Sequence, residues 1–173
     1  LVTVSEYDFK GNILASSRQV ISDEFMLSNV RAQTGTDWTL QAPRVDWAAF
    51  SDEILDTHKY QTRSTYDALN RIKWSEYPET VNGERYRLWP GYNRAGSLER
   101  VDLEDPTGSR QNYVQRLAYN ANGQRSFIAY GNGKLTRYVY DPETFRLVRM
   151  RTENYSPSSD FNYQPTGAAL QDI

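Results

Sequence analysis

The chain has 173 residues, 20 Lys and Arg against 22 Asp and Glu for a formal net charge of −2, and 38% hydrophobic residues with Tyr counted. That length fits one domain or part of a larger one, the 13% aromatic content is too high for a disordered chain, and the charge balance withholds the positive field that non-specific nucleic-acid binding needs. The lack of Cys removes disulfides, thiolate-ligated metals and cysteine nucleophiles, and no run approaches the roughly 18 apolar residues of a membrane span.

Leu1 to Ser5 shows neither the basic start nor the apolar middle of a signal peptide. The first patterned element follows, Tyr7-Asp8-Phe9-Lys10-Gly11. Asp caps a turn through its side-chain oxygen, and Gly supplies the positive φ that other residues avoid. Tyr, at the end of the preceding strand, buries its ring against a neighbour and keeps its hydroxyl near water.

Residues 20–59 read as an insertion before the next copy. Within it, Ser22-Asp23-Glu24-Phe25-Met26-Leu27 and Val45-Asp46-Trp47-Ala48-Ala49-Phe50 predict short helical turns. The unit then recurs as Tyr66-Asp67-Ala68-Leu69-Asn70, Tyr92-Asn93-Arg94-Ala95-Gly96 and Tyr119-Asn120-Ala121-Asn122-Gly123. Tyr140-Asp141-Pro142-Glu143-Thr144 keeps the first half and replaces the Gly. The Tyr-to-Tyr intervals are 59, 26, 27 and 21 residues, so the last four copies form an irregular array and the first interval holds the insertion.

From about Tyr60 to Thr152 the segments between turns predict antiparallel β structure. Arg125 to Tyr130 leads through Gly131-Asn132-Gly133 into Leu135 to Tyr140, and the Asn-Gly pair predicts a type I′ hairpin. Thr136, Tyr138 and Tyr140 share one strand face, with Leu135, Arg137 and Val139 on the other, so both faces are mixed. Further hairpins are expected around Asn82-Gly83 and Asn122-Gly123. Residues 153–173, rich in Pro, Ser and Gly, predict a loop-rich end leading toward a further repeat.

Candidate chemistry is sparse. His58, the one His, stands near Asp52, Glu53 and Asp56, which suits a divalent metal but reads equally as surface charge. A Ser-His-Asp arrangement with Ser51 or Ser64 lacks any nucleophile elbow. Asp102, Glu104 and Asp105 offer paired carboxylates, although Asp105-Pro106-Thr107-Gly108 reads more simply as a turn. Gly131-Asn132-Gly133 lacks the downstream Lys and helix start of a phosphate loop. Trp38, Trp47, Trp74 and Trp89 suit either stacking on sugar rings or packing between strands. Arg137, Arg146, Arg149 and Arg151 gather basic charge on adjacent strands, with Arg149 and Arg151 on one face. Asn154-Tyr155-Ser156 forms a glycosylation sequon, meaningful only in a eukaryotic secretory setting.

The Tyr-Asp-x-x-Gly units and the alternating strands after them resemble the YD repeats of bacterial RHS proteins, the B and C subunits of Tc toxins, and teneurins. The resemblance is tightest from Tyr119 to Arg125, Tyr130 to Gly133 and Tyr138 to Leu147, and extends to Gly11 through Gln19 and to Ala168 through Ile173. It implies a piece of a far longer, secreted or cell-surface protein, beginning and ending inside the array. It also implies a spiralling sheet closed into a hollow shell that holds a C-terminal toxic domain. The family has a self-cleaving aspartyl site with an Asp-Pro-x-Gly motif. Asp141-Pro142-Glu143-Thr144 lacks its Gly and sits mid-array, so that activity is not carried over.

The expectation is therefore an all-β hairpin meander, one YD-repeat segment over 1–173. Its role is structural and non-enzymatic, without cofactor or metal, and its partners are the rest of its own shell and an enclosed toxin domain. Tyr7, Asp8, Gly11, Tyr66, Asp67, Asn70, Tyr92, Asn93, Gly96, Tyr119, Asn120, Gly123, Tyr140 and Asp141 carry the repeat. The alternative is a cell-surface adhesion module that binds carbohydrate through exposed aromatics and Arg.

Overall fold

A computed structural model describes residues 1–32, 54–156 and 163–173. The helical turn expected over Val45 to Phe50, Trp38, Trp47, Ser51, Asp52 and Glu53 lie outside the described residues, as does the Pro157-Ser158-Ser159-Asp160 stretch. Among the described residues, eleven strands form an antiparallel sheet whose spatial order is the chain order. Contacts divide the chain into two compact units, Leu1–Ser64 and Thr65–Ile173. No helix among the described residues is long and apolar enough to cross a membrane.

In the first unit, β1 (Val2–Tyr7), β2 (Ile13–Arg18) and the start of β3 (Tyr60–Tyr66) pair in turn. Ser16 and Thr62 stand opposite each other, their hydroxyls 2.9 Å apart. The described part of the 20–59 insertion contains a helix, α1 (Asp23–Ala32), longer than the turn expected. It starts where the sequence allows: the Phe25 N–H donates to Ser22 Oγ (3.2 Å), and Asp23 and Glu24 sit in the first turn. Leu55 is buried and bridges Ile21.

The second unit continues with β4 (Ile72–Glu76), β5 (Arg87–Tyr92), β6 (Leu98–Glu104), β7 (Arg110–Tyr119), β8 (Arg125–Tyr130), β9 (Lys134–Tyr140), β10 (Leu147–Tyr155) and β11 (Pro165–Asp172). The end expected to be loop-rich thus contains the last part of β10 and the whole of β11. Pro165 is tolerated because it is the first residue of the last strand, where its missing N–H costs no ladder bond. Gly167, at φ 86°, lies where the β10–β11 register shifts.

Apolar burial is shared between the two faces of this sheet. On one face Leu117 opposes Ile128, which opposes Thr136, which opposes Thr152, with the two Thr hydroxyls 3.0 Å apart. On the other, Ala129 and Leu135 oppose each other, both with no exposed surface, beneath Tyr155, Phe127 and Tyr163. Neither cluster is large, which follows from a polar chain whose strands alternate apolar and charged residues on each side.

The hairpin between β8 and β9 differs from the type I′ turn expected. Gly133 alone takes positive φ (74°), and its N–H donates to the Tyr130 carbonyl at 3.2 Å. Asn132 instead turns its side-chain oxygen toward the Lys134 N–H (3.2 Å), so this is a type I turn followed by a left-handed residue. The approach of β7 explains the choice. The Gly131 N–H donates to the Tyr113 carbonyl (3.0 Å), and a Cβ on Gly131 would stand 1.7 Å from the Asn112 carbonyl oxygen.

Gly131→Ala therefore forces backbone apart and should cost about 3 kcal/mol or more. Gly91→Ala meets only the flexible Arg100 side chain, at 2.7 Å, and should cost much less. Urea midpoints of the two variants check the contrast.

Candidate functional site

The functional candidate is a set of repeated turns and the side chains they align. At Asp8 the backbone N–H donates to the Asn12 carbonyl (3.0 Å) and the Gly11 N–H donates back to the Asp8 carbonyl (3.1 Å). Asp8 Oδ1 accepts from the N–H groups of Lys10 (2.9 Å) and Asn12 (2.8 Å), and Gly11 sits at φ 86°. This is a three-residue hairpin loop, a type I turn closed by a left-handed residue, with a side-chain oxygen holding two loop amides.

The same bonds recur at Asp67, Asn93 and Asn120, each with Oδ1 accepting from the second and fourth residues on at 2.9–3.0 Å. Asn70 supplies the left-handed position at φ 61°, where Gly96 and Gly123 stand in the other two. Asp141 departs from the pattern by one residue. Its N–H donates to the Arg146 carbonyl, Oδ1 accepts from the Glu143 and Thr144 N–H groups, and the left-handed residue is Phe145 (φ 57°) rather than Thr144.

Two further turns make the same bonds without a Tyr before them. Asp105 holds the N–H groups of Thr107 (2.9 Å) and Ser109 (3.0 Å), with Gly108 at φ 85°. Thr80 does so weakly for Asn82 (3.4 Å) and Glu84 (3.3 Å), with Gly83 at φ 79°. The signal present was Asp or Thr three residues before Gly, without the Tyr anchor.

In an antiparallel meander successive turns alternate ends. The turns at Asp67, Asn93, Asn120 and Asp141 therefore share one end of the second unit's strands, and those at Thr80, Asp105 and Gly131 share the other. The repeat is thus two strands long, and Tyr marks one end. The hydroxyls of Tyr92 and Tyr140 donate to the carbonyls of Ile72 (3.0 Å) and Arg125 (2.9 Å). Both acceptors are the first residue after a capped turn. The Arg71 guanidinium lies 4.6 Å from the Tyr92 ring centroid. Gln124 Nε2 donates to the Phe145 carbonyl (2.7 Å), joining one turn to the next.

At the opposite end an ion ladder crosses four strands. Glu76 opposes Arg87, Arg87 opposes Glu104, and Glu104 opposes Arg110. The contacts are 2.8, 3.4 and 2.8 Å, and Arg85 adds a second cation at 3.5 Å from Glu76. Glu76 is 5% exposed while its Arg partners stay partly solvated, so desolvation falls mainly on the acids. Arg87 lies 5.1 Å from the Trp74 ring and Arg110 lies 3.6 Å from the Trp89 ring; the two indoles are 6.3 Å apart. Trp74 and Trp89 are therefore engaged with each other and with Arg.

The other candidates resolve similarly. The His58 N–H donates to Asp56 Oδ1 (2.9 Å) and its ring meets Tyr60 edge-on at 4.6 Å. Among the described residues no three His, Asp or Glu side chains are grouped to hold a metal. Asp102 accepts from Asn112, Glu104 belongs to the ladder and Asp105 caps its turn, so the three carboxylates have separate partners. Of the basic cluster, Arg137 and Arg151 flank the buried Glu153 (3.7 and 2.9 Å), and Arg149 pairs with Asp172. In the sequon, Tyr155 is buried and Asn154 bonds Lys134. A groove of about 750 Å³ beside the Gly131 hairpin is lined by Tyr113, Tyr130, Tyr138, Asn112, Lys134 and Thr136 among others, with no carboxylate.

No family model matches the chain. Two toxin subunits of Yersinia entomophaga do. YenC1 is 44% identical over 62 residues, 36% of this chain and 6% of that protein; YenC2 is 27% identical over 154 residues, 87% and 15% respectively. Among solved structures, the TcdB2–TccC3 complex aligns over 99% of this chain and 7% of its own at 25% identity, with a TM-score of 0.62. These matches are consistent with the resemblance to RHS/YD-repeat proteins. A Photorhabdus luminescens Tc holotoxin pore shows the same fold, with a TM-score of 0.62 at 24% identity over 99% of this chain and 7% of that one. The chain spans at most 15% of the length of the curated relatives it matches.

Acid should separate the turns by cap type. Hydrogen bonds from Arg71, first its backbone N–H and then its side chain, hold the Asp67 carboxyl below the usual 3.8, and Thr107 and Ser109 do the same for Asp105. A depressed folded value stabilises above the unfolded value and is lost as pH falls through the folded one. Amide protection at Arg71 and Ser109 should therefore decline below pH 3.8, while Ser97 and Gln124, held by uncharged Asn caps, keep theirs. Amide exchange compared against the unfolded chain reads this directly. Separately, Glu76→Ala takes one carboxylate from Arg85 and Arg87, which keep Glu79 and Glu104, and should cost about 2 kcal/mol, below the 3–5 of a fully buried pair, as a shift in urea midpoint.

Proposed function

We propose that this chain is a wall segment of a hollow β-shell, and that the shell encloses a toxic polypeptide carried by the same, longer protein. The observation that carries the reading is the second unit's sheet, which adds two strands per repeat and divides its limited apolar burial between two otherwise polar faces. A wall wet on both sides needs that distribution, whereas a self-contained domain gathers its apolar residues into one core.

The toxin-subunit relatives and the TcdB2–TccC3 alignment support the reading. On it, the fourteen Tyr, Asp, Asn and Gly positions of the five repeats are structural, residues 20–59 are an insertion in one continuous repeat segment, and the work is done outside the producing cell. Contacts with the cargo are broad and polar, of the kind the hydroxyl- and amide-lined groove offers. The role is containment, with no catalytic step assigned to these residues.

Limited proteolysis of the longer protein, read by mass spectrometry, tests this. A C-terminal segment that stays bound and protected is expected. A C-terminus digested as fast as a free peptide would contradict the container and favour a surface adhesion module.

A further inference from the structure

The sequence holds three Asn-Gly pairs, at Asn82-Gly83, Asn122-Gly123 and Asn132-Gly133. Such a pair can convert itself. The Gly amide nitrogen loses its proton and attacks the Asn side-chain carbonyl carbon, ammonia leaves, and a five-membered succinimide forms. Water then opens the ring to Asp or to isoaspartate, which carries an extra backbone methylene. The attack needs a Gly N–H released from its hydrogen bond and a backbone free to rotate, so in a folded chain its rate follows local opening of the turn.

All three Gly N–H groups are bonded, to the carbonyls of Thr80 (3.0 Å), Asn120 (3.0 Å) and Tyr130 (3.2 Å). The turns around them differ. At Asn122 the Asn120 side chain holds two amides at 2.9–3.0 Å, its Nδ2 donates to Gln124 Oε1, and Gln124 ties the loop to the Phe145 carbonyl. At Asn132 the side-chain oxygen is occupied by the Lys134 N–H, and the Gly133 carbonyl accepts from the Tyr155 N–H (2.9 Å), fixing the turn to β10.

The Asn82 turn has neither support. Its cap is the Thr80 hydroxyl at 3.3–3.4 Å, too long for strong bonds. Val81 beside it is fully exposed, and the Asn82 carboxamide makes no hydrogen bond among the described residues. We propose that Asn82 is the site of spontaneous deamidation and isoaspartate formation in the folded chain, selected by the weak Thr80 cap.

The product has a local consequence. It adds a carboxylate to the β4–β5 hairpin that already carries Glu79 and Glu84, within reach of Arg85, which pairs with Glu79 at 3.0 Å and Glu76 at 3.5 Å. A covalent clock thus sits beside the end of the ion ladder.

The three pairs fall in separate tryptic peptides, 74–85, 117–125 and 126–134, so one digest follows them together. The full chain is incubated in mildly alkaline heavy-oxygen water and sampled over days. Asn82 should convert at least roughly fivefold faster than Asn122 or Asn132, the scale of losing one good cap. In urea the three rates should converge. Thr80→Asp, which supplies the carboxylate cap used at Asp67 and Asp105, should slow Asn82 to the rate of Asn122. Equal rates at all three sites in the folded chain, or a Thr80→Asp variant that converts as fast as the parent, would overturn the proposal.

Discussion

The structure depends on one small constraint, an Asp or Asn side-chain oxygen that holds the second and fourth amides after it while the fourth residue of the turn takes left-handed φ. Reversing a strand in three loop residues leaves loop amides without ladder partners. The cap satisfies two of them and fixes the loop length, and loop length sets the register of both strands. Because the next turn of this kind lies two strands on, the caps at Asp67, Asn93, Asn120 and Asp141 align along one end of the sheet. Tyr92 and Tyr140 can therefore each reach the carbonyl just after the preceding capped turn.

Register fixed at the turns makes the charged side chains useful. Glu76, Arg87, Glu104 and Arg110 alternate in sign across four strands only because each stands directly opposite the next. Such pairs contribute little singly, and burying the acids costs solvation. Their value here is specificity, since a slip by one residue moves each charge to the other face and breaks every contact together. Partial exposure of the Arg side chains keeps the desolvation cost low, and stacking on Trp74 and Trp89 limits their freedom. The sheet is thereby held by caps and ladders where apolar burial is thin.

Legibility in the sequence followed the same division. The turns are readable because their chemistry is local: a capping oxygen and a residue tolerant of positive φ must stand at fixed spacing, and Asn70 takes the left-handed position at φ 61°. Phe145 was not read, because the Asp141 turn gains a residue and moves the left-handed position to a side chain that disfavours it. The ladder was illegible. Its members are separated by 11, 17 and 6 residues, and only the register brings them together. The geometry of the Asn132 turn was set by a β7 carbonyl approaching Gly131, a tertiary contact that overrides the local preference for type I′. The strand β11 was hidden by Pro165 and Gly167, residues that usually break a strand and here begin and bend one.

The most direct measurement is amide exchange on Asn120→Ala, which removes a cap and leaves Gly123 in place. If the caps set register, protection should fall along the whole β7–β8 ladder, from Leu117 and Ile128 as well as from Gln124. Loss confined to residues 121–124, with the strand ladder as protected as in the parent chain, would contradict the account.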